Sequence, residues 1–324
     1  MRYLVTGGAG FIGSEYVRML LSGSLTDAPV TQVTVLDALT YAGNLANLSP
    51  VEADPRFRFV HGSICDVAVV DAVMAGVDVV VNFAAETHVD RSISGPSDFV
   101  MTNVVGAQTV LDAALRHGVG RVVQIGTDEV YGSIAEGSWT EESPLMPNSP
   151  YSAAKAAAEL MVRAYWKTYG LNVSSTRCSN NYGHYQFPEK VIPLFVTNLM
   201  DGLSVPLYGT GENVRDWLHV SDHCRGVQIV VERGAGGESY NIGGGVELTN
   251  RELTGLLLDA MGADWSSVSA VPDRLGHDMR YSVDDSKLRA LGYAPVADFS
   301  SALAETVEWY RANEAWWRPL KARK

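Results

Sequence analysis

Tyr151 and Lys155 stand four residues apart in the run Tyr151-Ser152-Ala153-Ala154-Lys155. On a helix that spacing puts a phenol and an ammonium on one face. A free phenol, with pKa about 10, is roughly one part in a thousand ionised at neutral pH, which costs about 4 kcal/mol if the phenolate is to act as a base. A cation about 4 Å away, at an effective dielectric near 20, recovers on the order of 4 kcal/mol. The pair therefore suits removal of a proton from a hydroxyl whose carbon gives up hydride, with Thr127 orienting that hydroxyl. Asp128 and Glu129 follow Thr127 directly. Once oxidation has made a ketone, the neighbouring C–H is acidic. One carboxylate can then take that proton while a protonated one helps a β-hydroxyl to leave, provided their environments differ. A solvated acidic loop is the competing reading, and Val130-Tyr131-Gly132, which turns back toward the core, speaks against it.

These groups need a scaffold. Short β-branched runs alternate with amphipathic stretches through the first half: residues 3–6, 33–37, 58–62 and 78–85, then strands at 121–126 and 173–177. Near-continuous apolar strands separated by helices, expected at about 97–117 and 150–169, predict a parallel sheet covered on both faces. The fold class is α/β, a Rossmann-like doubly wound sheet with a smaller C-terminal substrate-binding lobe. Residues 1–180 are expected to form the cofactor-binding domain, with about 217–242 returning to it through a helix at 222–232 and a strand at 239–242. Residues 181–324 then form the substrate lobe, on which the tail WYRANEAWW is expected to pack. In such a sheet Thr127 and Tyr151 both lie at the carboxyl edge, where ligands bind.

The first strand runs into Gly7-Gly8-Ala9-Gly10-Phe11-Ile12-Gly13, a glycine turn opening a helix. Such glycines let backbone N–H groups approach a pyrophosphate at the helix N-terminus. Asp37 ends the second strand, where a carboxylate accepts from both adenosine ribose hydroxyls and repels a 2′-phosphate. Ala38-Leu39-Thr40 offers no arginine to welcome such a phosphate, so the expected cofactor is NAD rather than NADP. Asn82-Phe83-Ala84-Ala85 has the small residues expected beneath a dinucleotide, although plain strand packing explains it nearly as well.

Composition narrows the partners. Of 324 residues, 46% are hydrophobic and 19% charged, which is globular rather than disordered. The net charge of -12, with no dense Lys/Arg block, argues against nucleic acid. No apolar run suggests a membrane span, and the start MRYLVTGGAG leaves no room for a signal peptide, so the expected location is the cytoplasm. Cys65, Cys178 and Cys224 form no metal or redox pair and read as buried free thiols; no metal site is expected.

The motifs GGAGFIG, AAETHVDRS, TDEVYG, YSAAK, RCSNNYG, PEKVIPLF and VRDWLHVSDH together resemble the dTDP-glucose 4,6-dehydratases of the extended short-chain dehydrogenase/reductase family, over nearly the whole chain. The glycine turn and YxxxK belong to the superfamily, whereas TDEVYG, with both acids, marks the hexose 4,6-dehydratases. The resemblance implies that Tyr151 is the base at the C4 hydroxyl, Glu129 removes the C5 proton and Asp128 protonates the departing C6 hydroxyl. Hydride then returns to C6 through retained NAD, giving water and a 4-keto-6-deoxy sugar nucleotide. It also implies cofactor contacts at Gly7, Gly10, Phe11, Ile12, Gly13, Asp37, Ser63, Ile64, Ala84, Tyr151 and Lys155. Thr87 and Asn180 would touch the hexose, and Glu189, Lys190, Arg215, Asn250, Arg274 and His277 the nucleoside diphosphate. Cations suit a diphosphate, while pairing of Arg215 or Arg274 with surface carboxylates is the competing reading.

The chain departs from the family pattern at Ser63, where an Asp usually meets adenine, at Gly126, usually Ser, and at His184, usually Pro. Ser63 brings no charge, so NAD would be held less tightly than usual. Relatives pair through the two long helices, which implies a homodimer here. A 4-epimerase, a dehydratase for another nucleotide, and a silent NAD-binding module on the same fold are the alternatives. Product analysis separates the first two, and the presence of both Tyr151 and Lys155 argues against the third. No residue by itself tells thymine from uracil.

Overall fold

The structure, a computed structural model, describes residues 1–322. Seven strands, all parallel, build the main sheet: β1 (Arg2–Thr6), β2 (Gln32–Asp37), β3 (Phe57–His61), β4 (Val79–Asn82), β5 (Arg121–Thr127), β6 (Val173–Cys178) and β10 (Ser239–Ile242). Their order is β10-β6-β5-β4-β1-β2-β3, so the winding direction reverses between β1 and β4, the place where a doubly wound sheet opens a ligand crevice. Alternate residues of each strand feed two cores. Tyr3, Val5, Val33 and Val35 meet the helices Phe11–Ser22 and Val220–Arg233. Leu4, Leu36, Val80 and Val122 meet Val67–Met74, Ala107–Arg116 and Pro150–Tyr169.

The strand expected over 78–85 stops at Asn82, and 83–88 run as a loop. Ladder pairing ends there, and Asn103 instead exchanges two hydrogen bonds with the Glu86 backbone (2.8 and 3.0 Å). The helix expected at 97–117 runs from Pro96 to Arg116 with a π-helical middle, Met101–Gly106, that carries Asn103. The helix Pro150–Tyr169 has a capping box between Ser149 and Ser152, Pro150 in its first turn and Gly170 in the left-handed conformation at its end.

The remaining strands lie outside the main sheet. β7 (Asn180–Tyr182), β9 (Val214–His219) and β11 (Glu247–Thr249) form a three-stranded sheet, and β8 (Val205–Tyr208) pairs with β12 (Val268–Val271). Because β9 pairs with β7 and β11, the segment returning to the main sheet starts at Val220, slightly later than the expected 217. The third core joins Trp217, Leu253, Leu257 and Tyr310 with Trp309, Trp316 and Trp317 of the C-terminal tail, and Trp316 also donates to Asn47 at 2.9 Å. Cys178 and Cys224 are buried free thiols, whereas Cys65 is only half-buried.

One buried ion pair ties β6 to the long helix. Arg177 Nε donates to both Glu159 carboxylate oxygens at 2.9 and 3.0 Å, and its Nη1 donates to the Tyr131 hydroxyl. Both charged side chains are over nine-tenths buried. Removing one partner strands a buried charge, so Glu159→Leu is expected to lower unfolding stability by about 3–5 kcal/mol in urea titration. A loss below about 1 kcal/mol would show that water reaches the guanidinium.

Candidate active site

The first βα turn sets the cofactor end of the crevice. Gly7 adopts φ 67°, and a Cβ there would lie 2.6 Å from the Ala84 nitrogen; a Cβ on Gly13 would lie 2.4 Å from the Gly7 oxygen. Only glycine allows the turn to sit this close to the loop after β4. Gly7, Gly10, Phe11, Ile12, Gly13, Asp37, Ser63, Ile64 and Ala84 all line one cavity, which continues to Thr127, Asp128, Glu129, Tyr151 and Lys155. Asp37 is nearly buried and accepts from the Ala9 and Leu39 N–H groups at 2.9 and 2.8 Å. Burial raises its pKa while those two bonds oppose the shift. The Ser63 hydroxyl accepts from the Cys65 N–H at 3.1 Å. A glycine cradle, a carboxylate at the end of β2 and apolar walls fit a dinucleotide with a free ribose 2′-hydroxyl.

Thr127 ends β5 in extended conformation and caps the short turn Asp128–Tyr131 by accepting from the Glu129 N–H at 3.3 Å. Burial of Val130 and Tyr131 draws that turn inward, with Tyr131 stacked on Trp139. The pair of acids is therefore no solvated loop: Asp128 is 2% exposed, and Glu129 is half-buried against both cavities. Their environments differ. Burial, then the charge of Glu129 and that of Asp216, push Asp128 well above the usual carboxylate range. Burial also raises Glu129, but the cations of Arg215, Lys190 and Arg274 pull it back. Asp128 is thus the acid of the pair and Glu129 the one more readily ionised.

Tyr151 packs edge-on against Phe99, ring centres 6.3 Å apart. Its phenol is raised well above 10 by burial, then by the charge of Glu129, with the neighbouring Thr127 hydroxyl opposing the shift. Lys155 shares the helix face with Tyr151. Its Nζ donates to the Ile125 carbonyl at 2.7 Å, because a buried ammonium needs an acceptor, and burial lowers it to about 8.

A second cavity adjoins the first and shares Thr87, Glu129, Asn180, Glu189 and Lys190 with it. Arg215, Asn250, Arg274 and His277 line its far part. Arg215 is buried, donates to the Val214 and Asp278 carbonyls at 2.7 and 2.9 Å and lies 4.3 Å over the Tyr281 ring; it has no carboxylate partner among the described residues. Arg274 pairs with Asp90 at 3.1 Å, so for it the surface-pair reading holds in part. Lys190 donates to the Thr87 carbonyl at 3.1 Å, and His277 pairs with Asp273 at 2.6 Å. Glu189 faces Arg91 at 3.5 Å and His88 at 3.8 Å. Residues that sequence reasoning missed include Arg91, Gln186, Tyr281 and Cys178, whose thiol burial pushes up to about 12. Gln186 and Cys178 adjoin motifs already singled out, but nothing in spacing marks Tyr281.

Of the three departures from the family pattern, two have local causes. A Cβ on Gly126 would lie 2.2 Å from the Thr176 oxygen, and His184 stacks on Trp309 with ring centres 5.4 Å apart.

The sheet, the glycine turn and the Tyr-Lys pair at its carboxyl edge define an extended short-chain dehydrogenase/reductase with a nucleotide-sized second cavity. The sequence model of the family described as GDP-mannose 4,6 dehydratase matches residues 4–306. The dTDP-glucose 4,6-dehydratase of Streptomyces niveus is 60% identical over 323 residues, 99% of this chain and 96% of that one. Among solved structures, DesIV, a dTDP-glucose 4,6-dehydratase from Streptomyces venezuelae with NAD and TYD bound, superposes with TM-score 0.98 at 64% identity, covering 99% of this chain and all of that one. The dTDP-glucose 4,6-dehydratase of Bacillus anthracis, in complex with NAD, gives 0.90 at 46% identity, covering 99% of each. The chain belongs to this nucleotide-sugar dehydratase family, among the dTDP-glucose 4,6-dehydratases.

Proposed function

We propose that the chain converts dTDP-glucose to dTDP-4-keto-6-deoxyglucose and water. The observation that carries this is the unequal acid pair: Asp128 buried and pushed well above the usual carboxylate range, Glu129 facing three cations, both beside Tyr151. A 4-epimerase needs only the Tyr-Lys pair; two carboxyls in different environments serve an elimination.

NAD, when bound, supplies a positive ring and the reversible acceptor that takes hydrogen from C4 and gives it back at C6. Tyr151 removes the proton of the C4 hydroxyl, which Thr127 orients. Glu129 takes the C5 proton, made acidic by the new ketone, exchanges it with water and later gives a proton back to C5. Asp128 gives its proton to the C6 hydroxyl, which leaves as water. Lys155 holds the Ile125 carbonyl and with it the floor of the site. Thr87 and Asn180 border the hexose; Glu189, Lys190, Arg215, Asn250, Arg274 and His277 hold the nucleoside diphosphate, with the cations on its phosphates. Residues 1–180 with the returning segment hold the cofactor, and 181–324 the substrate.

Deuterium at C4 tests this reading. It is expected at C6 of the product undiluted by solvent, while turnover in D₂O places deuterium at C5, because a carboxylate exchanges with water and the internally moved hydrogen does not. Washout of the C4 label, or 4-keto product from UDP-glucose and none from dTDP-glucose, would overturn it.

The proposal extends to a cytoplasmic homodimer. No helix among the described residues is long and apolar enough to cross a membrane. Val100, Met101 and Val105 on one long helix and Leu160 on its neighbour are apolar yet 37–59% exposed, a patch that a second copy would cover. Sedimentation at micromolar concentration is expected to show a dimer, and Leu160→Glu to shift it toward monomer.

A further inference from the structure

We propose that Asp278 and Tyr281 are positioning residues that hold Arg215 in place for the substrate diphosphate while leaving it free of an ion pair. The inference rests on the dehydratase reading above and concerns the far part of the second cavity. Arg215 stands on β9, lines that cavity and is 7% exposed. A guanidinium this buried is ordinarily paired with a carboxylate, yet none forms an ion pair with Arg215 among the described residues. Its Nη1 and Nη2 donate instead to the Val214 and Asp278 carbonyls, and its central carbon lies 4.3 Å over the Tyr281 ring. Those bonds use two of the five N–H groups of a guanidinium. Neutral acceptors therefore fix its position, and its charge and remaining donors are left to an anion in the cavity.

The Asp278 carboxylate stands one step behind. It is 8% exposed, and its two oxygens accept from Asn148 Nδ2 and from the Tyr281 hydroxyl, each at 2.7 Å. The bond from Tyr281 fixes the ring that lies under the guanidinium. Because the phenol donates, electron density moves into that ring and strengthens its attraction for a cation. The bond from Asn148 reaches across to the segment that enters the helix of Tyr151 at its cap, Ser149. The backbones are close there: Gly276 has φ 63°, and a Cβ on it would lie 2.9 Å from the Asn148 carbonyl oxygen. Asp278 thus seats Arg215 through its own carbonyl and through the Tyr281 ring, and registers both against the segment that leads to Tyr151. It lines neither cavity, so it acts through Arg215 rather than on the substrate.

Calorimetric titration of the NAD-loaded protein with dTDP, together with KM and kcat for dTDP-glucose, tests this. Asp278→Ala is expected to weaken dTDP binding and raise KM at least about tenfold, with kcat at saturating substrate and bound NAD changed by less than about threefold. Asp278→Asn is expected to restore most of the affinity, since its amide can accept from Asn148 and donate to the Tyr281 oxygen. Arg215→Met supplies the reference background: with the guanidinium gone, adding Asp278→Ala is expected to weaken dTDP by less than about twofold more. Tyr281→Phe removes one oxygen and keeps the ring, so it answers the question should Asp278→Ala not fold. It is expected to weaken dTDP about threefold, and only while Arg215 is present. Equal losses with and without Arg215, or a fall in kcat and bound NAD with dTDP affinity unchanged, would overturn the positioning role alone. If Arg215→Met binds dTDP as tightly as the wild-type protein, or the wild-type protein forms no 4-keto product from dTDP-glucose, the reading beneath it falls and the positioning role with it.

Discussion

Glu129→Gln is expected to oxidise bound dTDP-glucose at C4 and then stop. The amide matches the carboxylate in shape and still reaches both cavities, while Tyr151, Thr127 and Lys155 are untouched. Reduced nicotinamide absorbance should therefore rise on adding substrate, to about one equivalent per site, and persist. Elimination needs a base at C5, and loss of a positioned base costs about 10²–10⁴ in rate. Neighbouring groups offer little substitution. Asp128 is raised well above the usual carboxylate range by burial and by the Glu129 charge, and although the amide removes that charge, the burial remains. Arg215, Lys190 and Arg274, which lower the pKa of Glu129, would face a neutral amide. Substrate affinity should accordingly change little or improve slightly, since those cations are then left to the diphosphate. Stopped-flow absorbance and product analysis read the two halves separately. Water loss at the wild-type rate would move the C5 base to another residue.

The wild-type pH profile should carry the signature of the same pair. Asp128 must be protonated to act, and burial with the charge of Glu129 raises it well above the usual carboxylate range. Glu129 must be ionised, and the cations of Arg215, Lys190 and Arg274 oppose the rise that burial causes. Elimination is then expected to fall at low pH as Glu129 gains a proton and at high pH as Asp128 loses one. Glu129→Gln should abolish the acid limb.

Much of this was legible in the sequence because local rules agree with the fold there. Gly7 and Gly13 mark close backbone approach, Ser149-Pro150 and Gly170 bound a helix, and apolar runs such as Val79–Val81 mark strands buried on both faces. Asp128 and Glu129 were legible as an acid pair because their neighbours Val130 and Tyr131 are core residues. What spacing could not show is how buried charges are satisfied. Lys155 and Tyr151 share a helix face, and the ammonium also takes the Ile125 carbonyl of β5, a tertiary bond with no local signal. Arg215 likewise finds carbonyls and the Tyr281 ring, and Arg274 finds Asp90 across the cavity. The end of β4 was misplaced because Phe83 and Ala84 are as apolar as a strand requires, while the Glu86 backbone is claimed by Asn103.

Tyr151→Phe is expected to lower turnover by at least about 10³ while leaving dTDP-glucose affinity within a few fold, because the phenolate acts mainly in the transition state. The change removes one oxygen from a ring that stays packed on Phe99, so the helix and the cavity wall keep their shape. In the wild-type protein burial and the Glu129 charge raise the phenol. The base form is therefore scarce at neutral pH and grows as pH rises, so C4 oxidation should climb with pH toward the phenol's pKa. Burial lowers Lys155 to about 8, beyond which the positive charge it brings to the site is lost. The rise of oxidation with pH should flatten above that point rather than continue. In Tyr151→Phe the pH-dependent limb should vanish from whatever oxidation remains, and no reduced nicotinamide should build up even when Glu129→Gln is added to it. Isothermal titration with dTDP-glucose reads the affinity, and single-turnover absorbance reads the oxidation. Oxidation near the wild-type rate in this variant would transfer the C4 base to Glu129 or Asp128.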